Sequence, residues 1–149
     1  PDIVNYEHIK KNIIINDLHN VTVLKAVVTD KIRSIFFSEH QGRETGRISE
    51  DSDFKIDSLT LDDWLEKNNI NPALIKMDIE GAEYLAISGM KNYLKTVKKI
   101  NILLELHCNL IKKFGNAKED ILKLLSDLDF KYKLLNKNDY GSEYYWIYK

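Results

Sequence analysis

The chain has 149 residues, and its 22 basic and 23 acidic side chains leave a net charge of -1. This balance excludes a general affinity for nucleic acid and a polybasic membrane anchor, and no apolar run reaches the ~20 residues that a membrane-spanning helix needs. The single cysteine, Cys108, excludes an internal disulfide framework and a multi-cysteine zinc site, which favours a cytoplasmic location. The length predicts one domain, residues 1–149, with its own hydrophobic core.

The N-terminal half predicts a helix, two strands and a long polar loop. Residues 5–16 carry apolar side chains three and four positions apart, which indicates an amphipathic helix. Residues 21–28 (VTVLKAVV) and 35–37 are apolar and partly β-branched, as is typical of strands. Residues 38–58 are polar and have no clear period, so we expect a surface loop that helps to shape a ligand pocket.

The C-terminal half alternates between strand and helix patterns and ends in a hairpin. Thr60 and Asp63 have the spacing of a capping box at the start of a short helix. The predicted elements that follow are a strand at 74–80, a helix at 85–93, a strand at 100–107, a helix at 121–128 and a hairpin of strands at 131–136 and 144–149. This alternation indicates an α/β fold with a doubly wound, mostly parallel sheet and a C-terminal antiparallel hairpin.

Charged residues interrupt the apolar strand predicted at 74–80. Lys76, Asp78 and Glu80 occupy alternate positions and therefore project to one side of the strand. Burying an unpaired charge costs several kcal/mol or more, so a central strand needs a reason to carry them. Gly81 then permits a sharp turn into the next helix. Ligands bind beyond the carboxyl ends of the strands in open α/β sheets, so this junction is a candidate site.

The next predicted strand ends in the same way, with Glu105 and His107 at alternate positions. If the two strands are neighbours, their ends lie roughly 5 Å apart. One cleft would then be lined by Lys76, Asp78, Glu80, Glu105 and His107. Such a group could remove a proton from a hydroxyl or hold a divalent cation.

Simpler explanations of these residues stay open. The backbone dipole at a helix start favours carboxylates such as Glu80 and Glu83. The long side chain of Lys76 could extend to a wet edge of the sheet. His107 could be a structural histidine whose ring nitrogens are hydrogen-bonded.

Two long stretches of the chain resemble a known family. LTLDDWLEKNNINPALIKMDIEGAEYLAISGM with the following INILLELH, and the upstream NYEHIKKNIIINDLHNVTVLKAVVTD, are similar to segments of the FkbM family of S-adenosylmethionine-dependent methyltransferases. The resemblance covers most of the chain except the polar loop at 38–56, and KMDIEGAE is its most specific part. It implies a class I methyltransferase fold with strand order 3-2-1-4-5-7-6. Residues 74–80 would be the fourth strand, 100–107 the fifth, and the hairpin the sixth and seventh.

The resemblance also implies the chemistry. The reaction would be direct methyl transfer from S-adenosylmethionine to a hydroxyl of a small molecule or sugar, with catalysis resting mainly on alignment of the reacting atoms. Asp78 would lie near the methyl-bearing sulfonium, and Thr29 and Asp30 near the adenine. The other catalytic candidates, one of which would accept the hydroxyl proton, are Lys76, Glu80, Glu105 and His107.

The sequence departs from this family in the cofactor-binding segment. Family members hold the methionine end of the cofactor with a glycine-rich turn after the first strand, but the six glycines here form no GxG. Pro1 begins where the second strand would end, so we expect a C-terminal portion of a longer protein, or a reduced relative, that binds S-adenosylmethionine weakly or not at all. The edge of the fourth strand would then be exposed, and we expect it to re-pair or to associate with another chain, for example as a homo-oligomer.

Two other functions stay open. Without the cofactor turn, the chain could be a non-catalytic methyltransferase-like remnant that serves as an interaction module. A metal-dependent hydrolase is the other alternative, although no metal-binding spacing such as HExxH occurs, and we assign no metal ligands in the leading interpretation. Its ligands would be Asp78, Glu80, Glu105 and His107.

Overall fold

The computed structural model describes residues 1–38, 46–49, 52 and 54–149. They divide into two compact units, a first unit of Pro1–Val27 with Arg33–Ser58 and a second unit of Val28–Ile32 with Leu59–Lys149. None of the helices in the described ranges combines the length and the apolar character that crossing a membrane requires. The expectation of a single domain stays a prediction.

The first unit begins with helix α1, Ile3–Ile15, which confirms the predicted N-terminal helix. The Asp2 carboxylate accepts a hydrogen bond from the Asn5 N–H at 2.8 Å, and this bond caps the first turn. No residue of α1 is buried, so the helix adds little to a hydrophobic core.

Four short strands form a first sheet in the order β1-β4-β2-β3, with β2 antiparallel to both β3 and β4. The strands are Val27–Val28 (β1), Ser34–Ser38 (β2), Arg47–Ile48 (β3) and Lys55–Leu59 (β4). The strand predicted at 35–37 is confirmed. The loop predicted at 38–58 is wrong in part, because β3 and most of β4 lie within it; the rest includes residues 39–45, 50, 51 and 53, which are outside the described residues. β4 alternates in burial, but its sequence KIDSL contains too few apolar residues for that alternation to be recognised.

The strand predicted at 21–28 is wrong for most of its length, since only Val27 and Val28 form a strand. The side chains of Val21 and Leu24 are 44% and 47% exposed, so these apolar residues gain little from burial. Strand propensity reflects packing against neighbours more than an intrinsic backbone preference, which explains why the β-branched pattern misled. β1 pairs with β4 in the first sheet. The strand that begins at Leu74 belongs to a different sheet.

The second unit contains a second sheet in the order β5-β6-β8-β7. Its strands are Leu74–Met77 (β5), Asn101–His107 (β6), Lys131–Lys137 (β7) and Ser142–Tyr148 (β8). All four strands predicted in this half are present, in the order implied for strands 4-5-7-6. The strand predicted at 74–80 is wrong at its end, because β5 stops at Met77 and Glu80 has a left-handed backbone. β5 and β6 are parallel, whereas β8 is antiparallel to both β6 and β7, so the sheet is mixed. The fold is α/β, but the doubly wound, mostly parallel sheet is not confirmed.

The core of the second unit lies against one face of β6, where Ile102, Leu104 and Leu106 are fully buried. Each such side chain contributes roughly 1.5–3 kcal/mol through removal from water. The helices of this unit are α2 Leu61–Lys67, α3 Glu83–Ser88, α4 Lys91–Thr96 and α5 Lys118–Asp127, together with a 3-10 turn at Ile111–Phe114. The opposite face of β6 carries Glu105 and His107 and is only half-buried, so it is the face available to a ligand.

The single helix predicted at 85–93 is wrong, because two helices, α3 and α4, meet at Gly89. A Cβ at Gly89 would lie 2.0 Å from the carbonyl oxygen of Thr29, so only glycine permits this close approach. The Asp62 carboxylate then accepts hydrogen bonds from the N–H groups of Asn92 and Tyr93 at 3.0 and 2.7 Å, which fixes a new helix start. The short helix predicted to start at the Thr60–Asp63 capping box is confirmed as α2, and the helix predicted at 121–128 is confirmed as α5.

Of the two edge strands of the second sheet, β5 and β7, the expectation of re-pairing concerns β5. Re-pairing of this edge is not observed, because β5 pairs only with β6 among the strands that the structure describes. Leu74 on this strand is 54% exposed. Association of this edge with another chain stays a prediction.

Candidate active site

The candidate site begins at the turn that follows β5. Glu80 and Gly81 have left-handed backbones, with φ of 55° and 100°, so the chain reverses sharply before α3. A non-glycine residue in this region costs on the order of 1 kcal/mol or more, and such positions cluster at functional sites. A Cβ at Gly81 would lie 2.7 Å from the Cβ of Leu110, so glycine lets this turn pack against the segment after β6. The two strand ends are therefore held together.

His107 lies at the centre of the site, and three carboxylate oxygens surround its Nε2. Nε2 is 3.8 Å from Asp78 Oδ1, 3.7 Å from Glu80 Oε2 and 3.7 Å from Glu105 Oε1. These distances are longer than hydrogen bonds, so the carboxylates act on the ring through their charge. The expected convergence of the two strand ends is thus observed.

The other ring nitrogen of His107 is hydrogen-bonded to a buried carboxylate. Nδ1 lies 2.8 Å from Glu83 Oε1, and the same oxygen accepts a hydrogen bond from the Gly81 N–H at 3.0 Å. Glu83 is fully buried at the start of α3. Its second oxygen, Oε2, is buried and has no hydrogen-bond partner among the described residues.

Lys76 and Tyr144 complete the group from two sides. Lys76 Nζ lies 2.9 Å from Asp78 Oδ2, and this ion pair is largely exposed to solvent. The Tyr144 hydroxyl donates a hydrogen bond to Glu105 Oε1 at 2.8 Å, because β8 places Tyr144 directly opposite Glu105. Four carboxylates thus face one lysine and one histidine, so the site attracts positive charge.

This arrangement shifts the proton affinity of two groups. The hydrogen bond to Glu83 raises the pKa of His107; partial burial opposes this shift, and the charges of Glu83, Glu80 and Glu105 reinforce it. The hydrogen bond to Glu105 likewise raises the pKa of Tyr144, with desolvation adding to it. His107 can therefore accept a proton, and the surrounding carboxylates favour the imidazolium that forms.

Thr29 and Asp30, the candidate adenine contacts, lie in the second unit beside Gly89. Thr29 is fully buried, its N–H donates to the Leu59 carbonyl at 2.9 Å, and its hydroxyl donates to the Lys31 carbonyl at 2.9 Å. These two bonds join Thr29 to Leu59 and Lys31 and do not join it to the histidine site. Their role in binding adenine stays a prediction.

Sequence reasoning missed two members of the site. The sequence leaves the helix dipole as an open explanation of Glu83, and no local pattern signals its contact with His107. For Tyr144 the sequence predicts only a place in the hairpin. Its partner Glu105 is 39 positions away, and only the strand register brings the two together.

Three side chains also offer a possible arrangement of metal ligands. Each of Asp78, Glu105 and His107 offers one ligand atom, and these three atoms lie within 4.8 Å of one another. Oxygen and imidazole donors of this kind suit several divalent cations.

Comparison with known proteins defines the class of the chain. The family model described as the methyltransferase FkbM domain matches residues 1–132. The chain is therefore of the methyltransferase class, and it belongs to the FkbM methyltransferase family. Neither a curated protein nor a solved structure matches it.

Proposed function

We propose that this protein transfers a methyl group from S-adenosylmethionine to a hydroxyl group of a small molecule or sugar. The observation that carries the proposal is the site around His107 in a chain of the FkbM family. A hydroxyl is a poor nucleophile until it loses its proton, so the acceptor needs a base beside it. His107 offers one at the sheet edge where ligands of open α/β proteins bind.

The fold supports the proposal through its strand order. We propose that the second unit forms part of a Rossmann-like class I methyltransferase sheet, because the order β5-β6-β8-β7 is the one expected for strands 4-5-7-6. The parallel pair β5–β6 presents its carboxyl ends to the ligand.

The described residues fit one end of the proposed cofactor. S-adenosylmethionine, when bound, supplies an electrophilic methyl group on a positively charged sulfur. The acidic surroundings of Asp78 and Glu80 suit a positive charge, and Asp78 is the residue we expect nearest to it. A glycine-rich turn for the methionine end does not occur in the sequence.

The protein's own contribution to the reaction is alignment and proton removal. His107 Nε2 accepts the hydroxyl proton of the acceptor, and the bound cofactor would supply the methyl group that replaces this proton on the oxygen. Asp78, Glu80 and Glu105 stabilise the imidazolium that results, since each carboxylate lies within 3.8 Å of Nε2. The hydrogen bond from Lys76 orients the Asp78 carboxylate.

A product screen tests this proposal. The protein from its complete reading frame is incubated with S-adenosylmethionine labelled in the methyl group and with fractionated small-molecule extracts, and labelled products are identified by mass spectrometry. Label in a new methyl ether, absent with Asp78→Asn, is the expected result. Label only on nitrogen or carbon would overturn the hydroxyl acceptor, and no label from any extract would count against methyl transfer.

Cofactor affinity is a separate prediction. We expect residues 1–149 alone to bind S-adenosylmethionine weakly or not at all, because no glycine-rich turn is present for its methionine end. Titration calorimetry measures this directly. Micromolar affinity for these residues alone would contradict the prediction, and it would also count against the alternative of a non-catalytic interaction module.

A metal-dependent hydrolase is the second candidate, favoured by the ligand atoms of Asp78, Glu105 and His107. A cation that binds the folded state raises the melting temperature. A rise with magnesium, manganese or calcium that disappears in Glu105→Gln would favour this function. No rise, or an equal rise in the variant, would leave methyl transfer as the better proposal. The cytoplasmic location expected from the single cysteine stays a prediction.

A further inference from the structure

Glu83 is a buried charged residue that the proposed reaction does not use directly. It stands in the first turn of α3, where a carboxylate favours the helix dipole. A carboxylate that serves the dipole needs no burial. Glu119 shows this in the first turn of α5, with a side chain that is 76% exposed. Glu83 is fully buried instead, so the dipole alone does not explain its position.

The contacts of Glu83 are directed at the candidate base. Its Oε1 lies 2.8 Å from His107 Nδ1 and also accepts from the Gly81 N–H at 3.0 Å. Its Oε2 has no partner among the described residues. An unpaired buried oxygen costs on the order of 1–3 kcal/mol or more, so this carboxylate is held at the expense of stability.

The hydrogen bond determines which nitrogen of His107 is available. A carboxylate accepts hydrogen bonds and does not donate them, so Nδ1 carries the hydrogen. In the neutral ring, the lone pair is then on Nε2, the atom that faces Asp78, Glu80 and Glu105. The opposite tautomer would place a hydrogen on Nε2 and leave no base toward the ligand.

The backbone makes this orientation rigid. The Gly81 N–H holds Glu83 Oε1 from a second direction, and Gly81 itself is packed against Leu110 after β6. His107 and its carboxylate partner are thus fixed by segments that follow two adjacent strands.

We infer that Glu83 is a positioning residue, which holds His107 through Nδ1 so that Nε2 faces the acceptor hydroxyl. The inference rests on the proposed function for its catalytic consequence. Its structural part, the fixed tautomer and orientation of His107, is independent of any substrate.

Nitrogen NMR of the histidine side chains tests the structural part. In the wild-type protein at a pH where His107 is neutral, we expect Nδ1 to carry the hydrogen and Nε2 to be bare. In Glu83→Gln the side-chain amide can donate to Nδ1 as well as accept from it, so a share of the neutral rings should carry the hydrogen on Nε2. Glu119→Gln is the matched control and should leave His107 unchanged.

These NMR measurements test the structural part of the inference and do not require methyl-transfer activity. A neutral wild-type ring with its hydrogen on Nε2 would overturn the inference, and this needs no variant to fold. An unchanged tautomer of His107 in folded Glu83→Gln would overturn it as well. Failure of methyl transfer with the expected spectra would instead refute the proposed function alone.

Kinetics test the catalytic part. Glu83→Gln should lower kcat about a hundredfold with little change in KM, since misplacing a catalytic group by about 1 Å costs this much. In a His107→Asn background, the same substitution should have no further effect on kcat. An equal fall in both backgrounds would show that Glu83 does not act through His107.

Discussion

Two clusters of acidic residues contact opposite faces of strand β8, and their buried carboxylates differ in how many hydrogen-bond partners they have. On one face Tyr144 contacts the His107 site, and on the other Glu143 contacts Lys118, Lys137 and Tyr145. Glu143 and Glu83 are both buried carboxylates. Both oxygens of Glu143 have partners, whereas Glu83 Oε2 has none among the described residues.

The difference shows which cluster is built for stability. Lys118 Nζ lies 3.0 Å and Lys137 Nζ 3.3 Å from the Glu143 carboxylate, and the Tyr145 hydroxyl donates to it at 2.7 Å. The Tyr145 hydrogen bond and these cations lower the pKa of Glu143 to about 2. Its charge is compensated. The His107 site keeps an excess of negative charge and an unpaired buried oxygen, which is typical of sites held for function.

The largest effect is expected from Asp78→Asn. Turnover should fall by roughly a thousandfold or more, because the residue beside both His107 and the expected sulfonium loses its charge. The melting temperature should stay within a few degrees, since the Asp78–Lys76 pair is exposed. Labelled methyl transfer and thermal unfolding measure the two quantities. Asp127→Asn, which breaks the exposed pair with Lys123, is the control; retained turnover in Asp78→Asn would remove Asp78 from the catalytic residues.

The opposite pattern is expected for Glu143→Gln. Removing one partner of a buried, hydrogen-bonded charge should lower the free energy of unfolding by about 2 kcal/mol, with turnover unchanged at saturating substrate. Urea unfolding measures the loss. The folded pKa of Glu143 is depressed, so its contribution is present above 4.5 and is lost as the pH falls toward about 2. The comparison fails if the variant loses turnover and keeps its stability.

The pH dependence of the rate and of the stability tests the cluster around His107. Protonated His107 cannot accept a proton, so kcat/KM should rise with pH and level off above the raised pKa of His107. For stability the sign is reversed: because the folded pKa is raised, the contribution of His107 is present below its ordinary value of 6.5 and is lost as the pH rises through the folded value. A flat rate profile from pH 6 to 9 would exclude His107 as the base.

The smallest effect concerns the two edges of the second sheet. The β7 edge carries Lys131, Lys133 and Lys137, which discourage pairing with another chain, whereas Lys76 is the single lysine of β5. We therefore propose that any self-association uses β5, and Leu74→Lys should weaken it about tenfold in analytical ultracentrifugation. Leu134→Lys on β7, at similar exposure, is the control. Equal behaviour of the two variants would contradict this choice of edge.

Much of the candidate site was predictable because strand parity is a local property. The alternation of Glu105 and His107 assigns both to one face of β6, Lys76 lies on β5 and Asp78 follows it directly, and the register of β5 with β6 brings the two groups together. The prediction of a strand at 21–28 is wrong for the opposite reason. Its β-branched residues suit a sheet, but no local signal states whether a partner will cover them.

The sequence by itself determined the family, the strands and hairpin of the second sheet, and the acidic residues that follow β5. Tertiary structure alone decided the break at Gly89, where another backbone approaches too closely for a Cβ. It also decided the burial of Glu83 against His107 and the contact of Tyr144 with Glu105. The physical reason is separation along the chain: hydrophobic pattern and parity act between near neighbours, whereas burial and hydrogen bonding depend on which distant segments come into contact.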